Sequence, residues 1–177
     1  GTGAMGFSQS AAIGACLAGD KRPTVCVDGD GGFQMNIQEL ETVRRLALPI
    51  KFFVMNNKGY ASIRASQKGY FGRLTGADAS SGLSLPDITE VASAYGLATA
   101  RIFNNRGLED QIGKVLAMPG PVVCDVTIVP DEPRAPRVAS KQRADGSMAS
   151  SPLEDMWPFL DRQEFRSNMI VPPLDDA

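Results

Sequence analysis

Four short apolar runs, at residues 24–27, 50–55, 98–102 and 121–129, punctuate the first three-quarters of this chain, and a helix-like stretch separates each from the next. Continuous apolar runs of this length are characteristic of strands buried on both faces, as in parallel sheets. Residues 7–17 (FSQSAAIGACL) are rich in small residues and read as a buried helix. Asn36 with Glu39 has the spacing of a capping box, and Ile37, Leu40, Val43 and Ala47 recur at helical spacing before Pro49 ends the run. Further helices are expected at 60–67, at 87–95 behind an Asp87 cap, and at 108–118, with 72–85 a loop lacking periodicity. The order helix, strand, helix, strand, helix, helix, strand, helix, strand predicts an α/β fold: a mostly parallel sheet with helices on both faces. The α/β domain is expected to span residues 1–130. Residues 131–177 are a different kind of sequence: with Pro130, they hold 7 of the chain's 12 prolines, and they read as a tail that wraps the domain or a partner.

Composition narrows the chemistry. The chain has no histidine, which excludes Ser-His-Asp and Cys-His nucleophile pairs and His-ligated zinc. Any catalysis must use carboxylates, backbone groups, a metal or an organic cofactor. A net charge of −2 without a basic run argues against a nucleic-acid surface. Cys16, Cys26 and Cys124 lie far apart in apolar contexts, which points to buried free thiols and a cytoplasmic, reducing location. No stretch approaches the roughly 18 apolar residues of a membrane span, so no membrane partner is expected. The opening Gly1-Thr2-Gly3-Ala4-Met5-Gly6 reads as the middle of a loop. It is expected either to carry an expression scar or to belong to a domain cut from a longer protein, lacking its N-terminal strand and helix.

In open parallel sheets ligands bind beyond the carboxyl ends of the strands. Two such loops are polar and glycine-rich: Gly29-Asp30-Gly31-Gly32 after one strand and Asn56-Asn57-Lys58-Gly59 after the next. Glycines let backbone N–H groups approach an anion, but an Asp in the middle of a phosphate loop would repel it. A divalent cation between the two removes the conflict. Magnesium takes oxygen ligands and keeps company with diphosphates, and Asp30, the Asn57 amide oxygen and a carbonyl of the second turn would supply the protein half of its shell. An EF-hand is the other cation reading, since Asp28, Asp30 and Glu39 fit its ligand spacing. It fails because Phe33 stands where that loop needs glycine and a strand leads in.

The GDG at 29–31, with the second Asn of an Asn-Asn pair 27 residues after the Asp, resembles the thiamine-diphosphate motif. Gly29-Asp30-Gly31-Gly32-Phe33-Gln34-Met35, Gln38-Glu39-Leu40-Glu41-Thr42, Leu48-Pro49-Ile50 and Gly3-Ala4-Met5-Gly6-Phe7 are similar to the acetolactate-synthase-like branch of that family. The resemblance covers about residues 1 to 130. It implies the thiamine-diphosphate-binding fold, with thiamine diphosphate and Mg2+ as cofactors. Asp30, Asn57 and, through its carbonyl, Gly59 would be the metal ligands. Gly31 and Gly32 would meet the diphosphate with backbone amides, although Ser is common at the latter position. Met5 would wedge between the cofactor rings, and the Gly3 carbonyl beside Ala4 would accept from the pyrimidine amino group. Tyr60, Ala61 and Ser62 would open the helix beside the diphosphate, and Ile63 would reach the substrate side. Lys58 and Arg64 are candidates to meet a substrate carboxylate, against the ordinary reading of solvated basic residues.

The implied reaction is decarboxylation of a 2-oxo acid with carboligation to a second carbonyl. In the family the activating Glu lies in a separate pyrimidine-binding domain, normally of a partner subunit. Glu39, Glu41 and Glu90 fall on the wrong elements, so no catalytic residue is expected in this chain and the chain alone is expected to be inactive. The full-length protein would then be a homodimer or homotetramer. The tail departs from the biosynthetic acetolactate synthases: Gly146-Ser147-Met148 and Pro152-Leu153-Glu154-Asp155-Met156 resemble a less characterised side branch. Alternatives are the small subunit of a two-chain 2-oxo-acid decarboxylase or oxidoreductase, and a non-catalytic cofactor- or partner-binding domain.

Overall fold

A computed structural model of the chain describes residues 3–132, 135–142 and 145–172. Gly1 and Thr2 of the opening loop, and residues 133, 134, 143, 144 and 173–177 of the tail, lie outside the described residues. The chain divides into two compact units, 1–132 and 133–177.

The first unit is built on four parallel strands in the order β1-β2-β4-β3: β1 Thr24–Gly29, β2 Ile50–Asn56, β3 Ala98–Ile102 and β4 Val122–Thr127. Each apolar run of the sequence becomes one of these strands. Alternate side chains go to opposite faces of the sheet. Ile50, Phe52 and Val54 of β2 join Cys26 and Val123 in one core with Ile13 and Cys16 of α1 (Phe7–Ala18), Phe33 of α2 (Asp30–Met35), Leu40 and Val43 of α3 (Glu39–Arg45) and Ile88 and Ala92 of α5 (Ile88–Ala94). On the opposite face Phe53, Val122, Cys124 and Ile102 pack with Val115, Leu108 and Ile112 of α6 (Leu108–Ala117). Helices therefore cover both faces, as the strand pattern predicts. At the β1 edge of the second face, Val25 and Val27 stay 55% and 58% exposed.

Lys51 breaks the apolar run of β2 yet is buried. Its Nζ donates to the carbonyls of Met118 (2.5 Å) and Gly120, just past α6, where a helix leaves carbonyls without intrahelical partners.

Three local expectations are corrected. The loop expected after the first strand is a direct strand-to-helix junction, because β1 runs through Gly29 and α2 starts at Asp30. The capping box at Asn36 and Glu39 does not form: Asn36 Nδ2 donates to the Gly6 carbonyl at 2.8 Å, its Oδ1 accepts from Gln38, and α3 starts only at Glu39. The helix α4, Ala61–Phe71, is longer than the expected 60–67 and ends at Gly72, whose left-handed φ of 63° suits glycine. Asp87 does cap α5, accepting from the N–H groups of Thr89 and Glu90.

The second unit holds an antiparallel pair, β5 Ser140–Gln142 and β6 Met148–Ser150, and the helix α7, Arg162–Asn168, capped by Asp161. Its centre is polar and aromatic. Buried Asp155 takes a forked pair of hydrogen bonds from Arg162 at 2.8 and 2.9 Å, and the Arg162 guanidinium lies near the rings of Phe159 and Phe165. Arg137 lies 5.2 Å from the Trp157 ring centre. Among the described residues no helix is long and apolar enough to cross a membrane.

Candidate functional site

β1 and β2 are neighbours in parallel register, with Gly29 opposite Met55, so both strands deliver their following loops to the same end of the sheet. The two polar motifs meet there. Asp30 is 2% exposed; its Oδ1 accepts the Gly31 N–H at 2.9 Å and its Oδ2 the Gly59 N–H at 3.0 Å. Asp30 thus bridges the start of α2 to the loop after β2. Burial pushes its carboxyl above the usual range, and the N–H groups of Gly59, Gly31 and Lys58 oppose that shift. Asn57 is also buried. Its neighbour Asn56 donates from Nδ2 to Asp125 at 3.0 Å, fixing the end of β2 to β4.

The glycines are there for space. A Cβ on Gly31 would lie 2.3 Å from the Tyr60 ring and 3.2 Å from Met5 Cε, which places Met5, Gly31 and Tyr60 together. A Cβ on Gly32 would lie 2.4 Å from Asp28 Oδ1. Asp28 hydrogen-bonds the Gly29 N–H and the Ser8 side chain, and burial raises its pKa. That contact supplies a steric reason for glycine where the family often has serine. Gly59, at φ 152°, would drive a Cβ to 2.3 Å from the Ala77 carbonyl.

The segment 72–85, featureless in sequence, closes over the second turn. Buried Ala77 accepts the Tyr60 N–H at 2.9 Å, and Asp78 bridges to Gly59. Tyr60 precedes α4, its carbonyl accepting the Arg64 N–H at 2.8 Å; Ala61 is half-buried and Ser62 exposed. Gly3 and Ala4 are exposed, and Met5 is 45% exposed.

Arg64 does not face solvent for a substrate carboxylate. It is 3% exposed, and its Nη2 donates to Asn57 Oδ1 at 3.1 Å, to the Asn57 carbonyl at 3.4 Å and to the Pro130 carbonyl at 2.5 Å. Lys58 is exposed and has a left-handed φ of 60°. The sequence carried one usable sign of the Arg64 arrangement: Arg64 lies four residues after Tyr60, one helical turn from the second loop. Nothing in the sequence marked Pro130 or Asp131 as its neighbours.

Among the described residues no three Cys, Asp or Glu side chains converge to hold a metal. The donors at the loop junction are one carboxylate, one amide oxygen and backbone carbonyls, all hard oxygen ligands of the kind Mg2+ takes when phosphate and water complete its shell. The residues present fit a magnesium diphosphate.

Two parallel strands ending in buried Asp30 and Asn57, with a glycine cradle between them, define a diphosphate-binding α/β domain. The family model of the thiamine pyrophosphate enzyme C-terminal TPP binding domain matches residues 1–126, and the chain belongs to that family. It is 32% identical over 139 residues to the acetolactate synthase large subunit of Cyanidium caldarium, covering 78% of this chain and 24% of that protein. To the large subunit of Porphyra purpurea it is 34% identical over 140 residues, covering 78% of this chain and 23% of the relative. To the chloroplastic acetolactate synthase of Arabidopsis thaliana it is 34% identical over 145 residues, covering 79% and 22% respectively. The chain spans about a quarter of the length of these curated relatives.

Proposed function

We propose that this chain is the diphosphate- and magnesium-holding half of an acetolactate-synthase-like active site. Its full-length protein would decarboxylate a 2-oxo acid and ligate the product to a second carbonyl. The observation that carries the reading is the Asp30 bridge to Gly59, two residues after buried Asn57. Asp30, the Asn57 amide oxygen and the Gly59 carbonyl would hold Mg2+, and the loop of Gly29, Gly31 and Gly32 would receive the diphosphate. Met5 beside Gly31 would fix the bend between the cofactor rings, with Gly3 and Ala4 on the pyrimidine side. Tyr60, Ala61 and Ser62 would close the diphosphate side. Bound thiamine diphosphate supplies the electron sink for loss of carbon dioxide, which is why a chain without histidine can serve this chemistry.

The activating carboxylate would come from a pyrimidine-binding domain of the same full-length chain, acting across a homodimer or homotetramer. The length of the relatives supports this over a separate small subunit. The exposed Val25 and Val27 on β1 support further polypeptide against that face. A cytoplasmic, reducing location is supported by the thiols: Cys16, Cys26 and Cys124 are buried and unbridged, and burial raises Cys26 and Cys124 to about 11. Calorimetry of the full-length protein with thiamine diphosphate and Mg2+ tests the assignment. Metal-dependent binding is expected, and absence of any binding would remove it.

A further inference from the structure

Burying a guanidinium is costly unless it is paired. Arg64 is 3% exposed, yet among the described residues its ion-pair partner, Asp131, lies 3.4 Å from Nε, is itself 64% exposed, and is shared with Lys68 at 2.9 Å. Among the described residues Nε meets no acceptor in good hydrogen-bond geometry, only the long Asp131 contact, and the Nη2 contacts go to amide and carbonyl oxygens of Asn57 and Pro130. The fold therefore keeps a partly satisfied cation against the junction of the two loops. Its firmest side-chain contact there is Asn57 Oδ1, at 3.1 Å.

An Asn side chain can turn either its oxygen or its NH2 toward a site, and a metal accepts only the oxygen. A guanidinium is purely a donor, so Arg64 selects the orientation with Oδ1 at the junction. The amide oxygen has two lone pairs, and Arg64 takes one. We propose that Arg64 is a positioning residue for the metal ligand Asn57: it holds the amide oxygen in place for the cation and ties the site to Pro130 and Asp131 beyond β4. This rests on the cofactor reading above. Asp131 offsets the positive charge that Arg64 brings near a divalent cation. The opposite relation is also physically definite: a guanidinium that competed with the metal for Oδ1 would weaken binding, and its removal would tighten it.

The test is calorimetric titration of Mg2+, and separately of Ca2+, into the full-length protein at saturating thiamine diphosphate, for wild type, Arg64→Met and Arg64→Lys. Loss of a partner that orients a metal ligand costs about 10–100-fold in affinity, and that loss of Mg2+ affinity is expected for both variants. Ca2+ tolerates irregular shells and should lose less, so the preference for Mg2+ falls. A merely structural role would lower the melting temperature of the metal-free protein without changing that preference. Should Arg64→Met fail to fold, Arg64→Lys decides, since it keeps the charge but not the fork. Unchanged or tighter Mg2+ binding by a folded variant overturns the proposal. Failure of wild type to bind Mg2+ and thiamine diphosphate would instead overturn the cofactor assignment.

Discussion

The carboxylate of Asp30 accepts the backbone N–H of Gly59 at 3.0 Å, joining the start of α2 to the loop that leaves β2. These residues stand 29 apart in sequence, and the bond exists because their strands pair in parallel with Gly29 opposite Met55. The same carboxylate holds Gly31 through its other oxygen. One buried side chain therefore sets the shape of both segments.

Asp30→Asn tests whether that side chain also carries the metal. The amide keeps the size of the carboxylate, but its NH2 would face an N–H donor of Gly31 or Gly59, and the negative charge is lost. Mg2+-dependent binding of thiamine diphosphate by the full-length protein should fall below detection in calorimetry, and Asp30→Ala should do the same. Binding retained by both variants would place the metal elsewhere.

Gly31→Ala tests the close approach of Tyr60. The added methyl would stand 2.3 Å from the ring, so Tyr60 must move. Overpacking of this kind costs about 1–3 kcal/mol. Urea denaturation of Gly31→Ala should show a loss of that order, and Tyr60→Ala in the same chain should recover much of it. Additive effects of the two substitutions would mean that ring and glycine do not meet in solution.

The sheet was legible because its signal is local: an apolar run bounded by turn residues names a strand wherever it occurs, and all four appear where the runs predict. That Asp30 and Asn57 come at the same end of the sheet was legible through their places after neighbouring strands. The capping box at Asn36 was misread because its Nδ2 is drawn to a tertiary acceptor, the Gly6 carbonyl, while its Oδ1 accepts from Gln38, and sequence spacing carries no sign of either. Arg64 was misread for a related reason. Its burial depends on residues 130 and 131, which reach it only after β4 has crossed the sheet. Ala77 lies in a segment without periodicity, and its role comes from backbone contacts that any small residue could make.

Asp87 predicts a pH dependence. It caps α5, accepts from the Thr89 hydroxyl, and pairs with Arg101 of β3 at 2.6 Å. The Thr89 hydroxyl, the N–H groups of Glu90 and Thr89, and Arg101 hold its pKa well below the ordinary 3.8. A carboxylate depressed in the folded state adds stability that is fully present above its unfolded pKa and is lost as pH falls through the folded one. Asp87→Ala should therefore destabilise the protein by about 1 kcal/mol near pH 7, as loss of a cap does. The gap between wild type and variant should narrow as pH drops below 3.8. Denaturant unfolding at a series of pH values reads this directly, and a gap that did not change with pH would show that the cap acts without its charge.

The isolated 177-residue chain should not turn over pyruvate even with thiamine diphosphate and Mg2+ supplied. None of the three glutamates weighed for the activating role belongs to the loops that meet at Asp30. Glu39 and Glu41 lie in the first turn of α3, Glu39 accepting from Thr42 and Glu41 from Arg44, while Glu90 is exposed in the first turn of α5. Addition of the upstream segment of the full-length protein should restore carbon dioxide release, since that segment would bring the missing carboxylate. Robust release by the isolated chain would mean that the activating acid lies within these residues, and the division of the active site proposed above would fall.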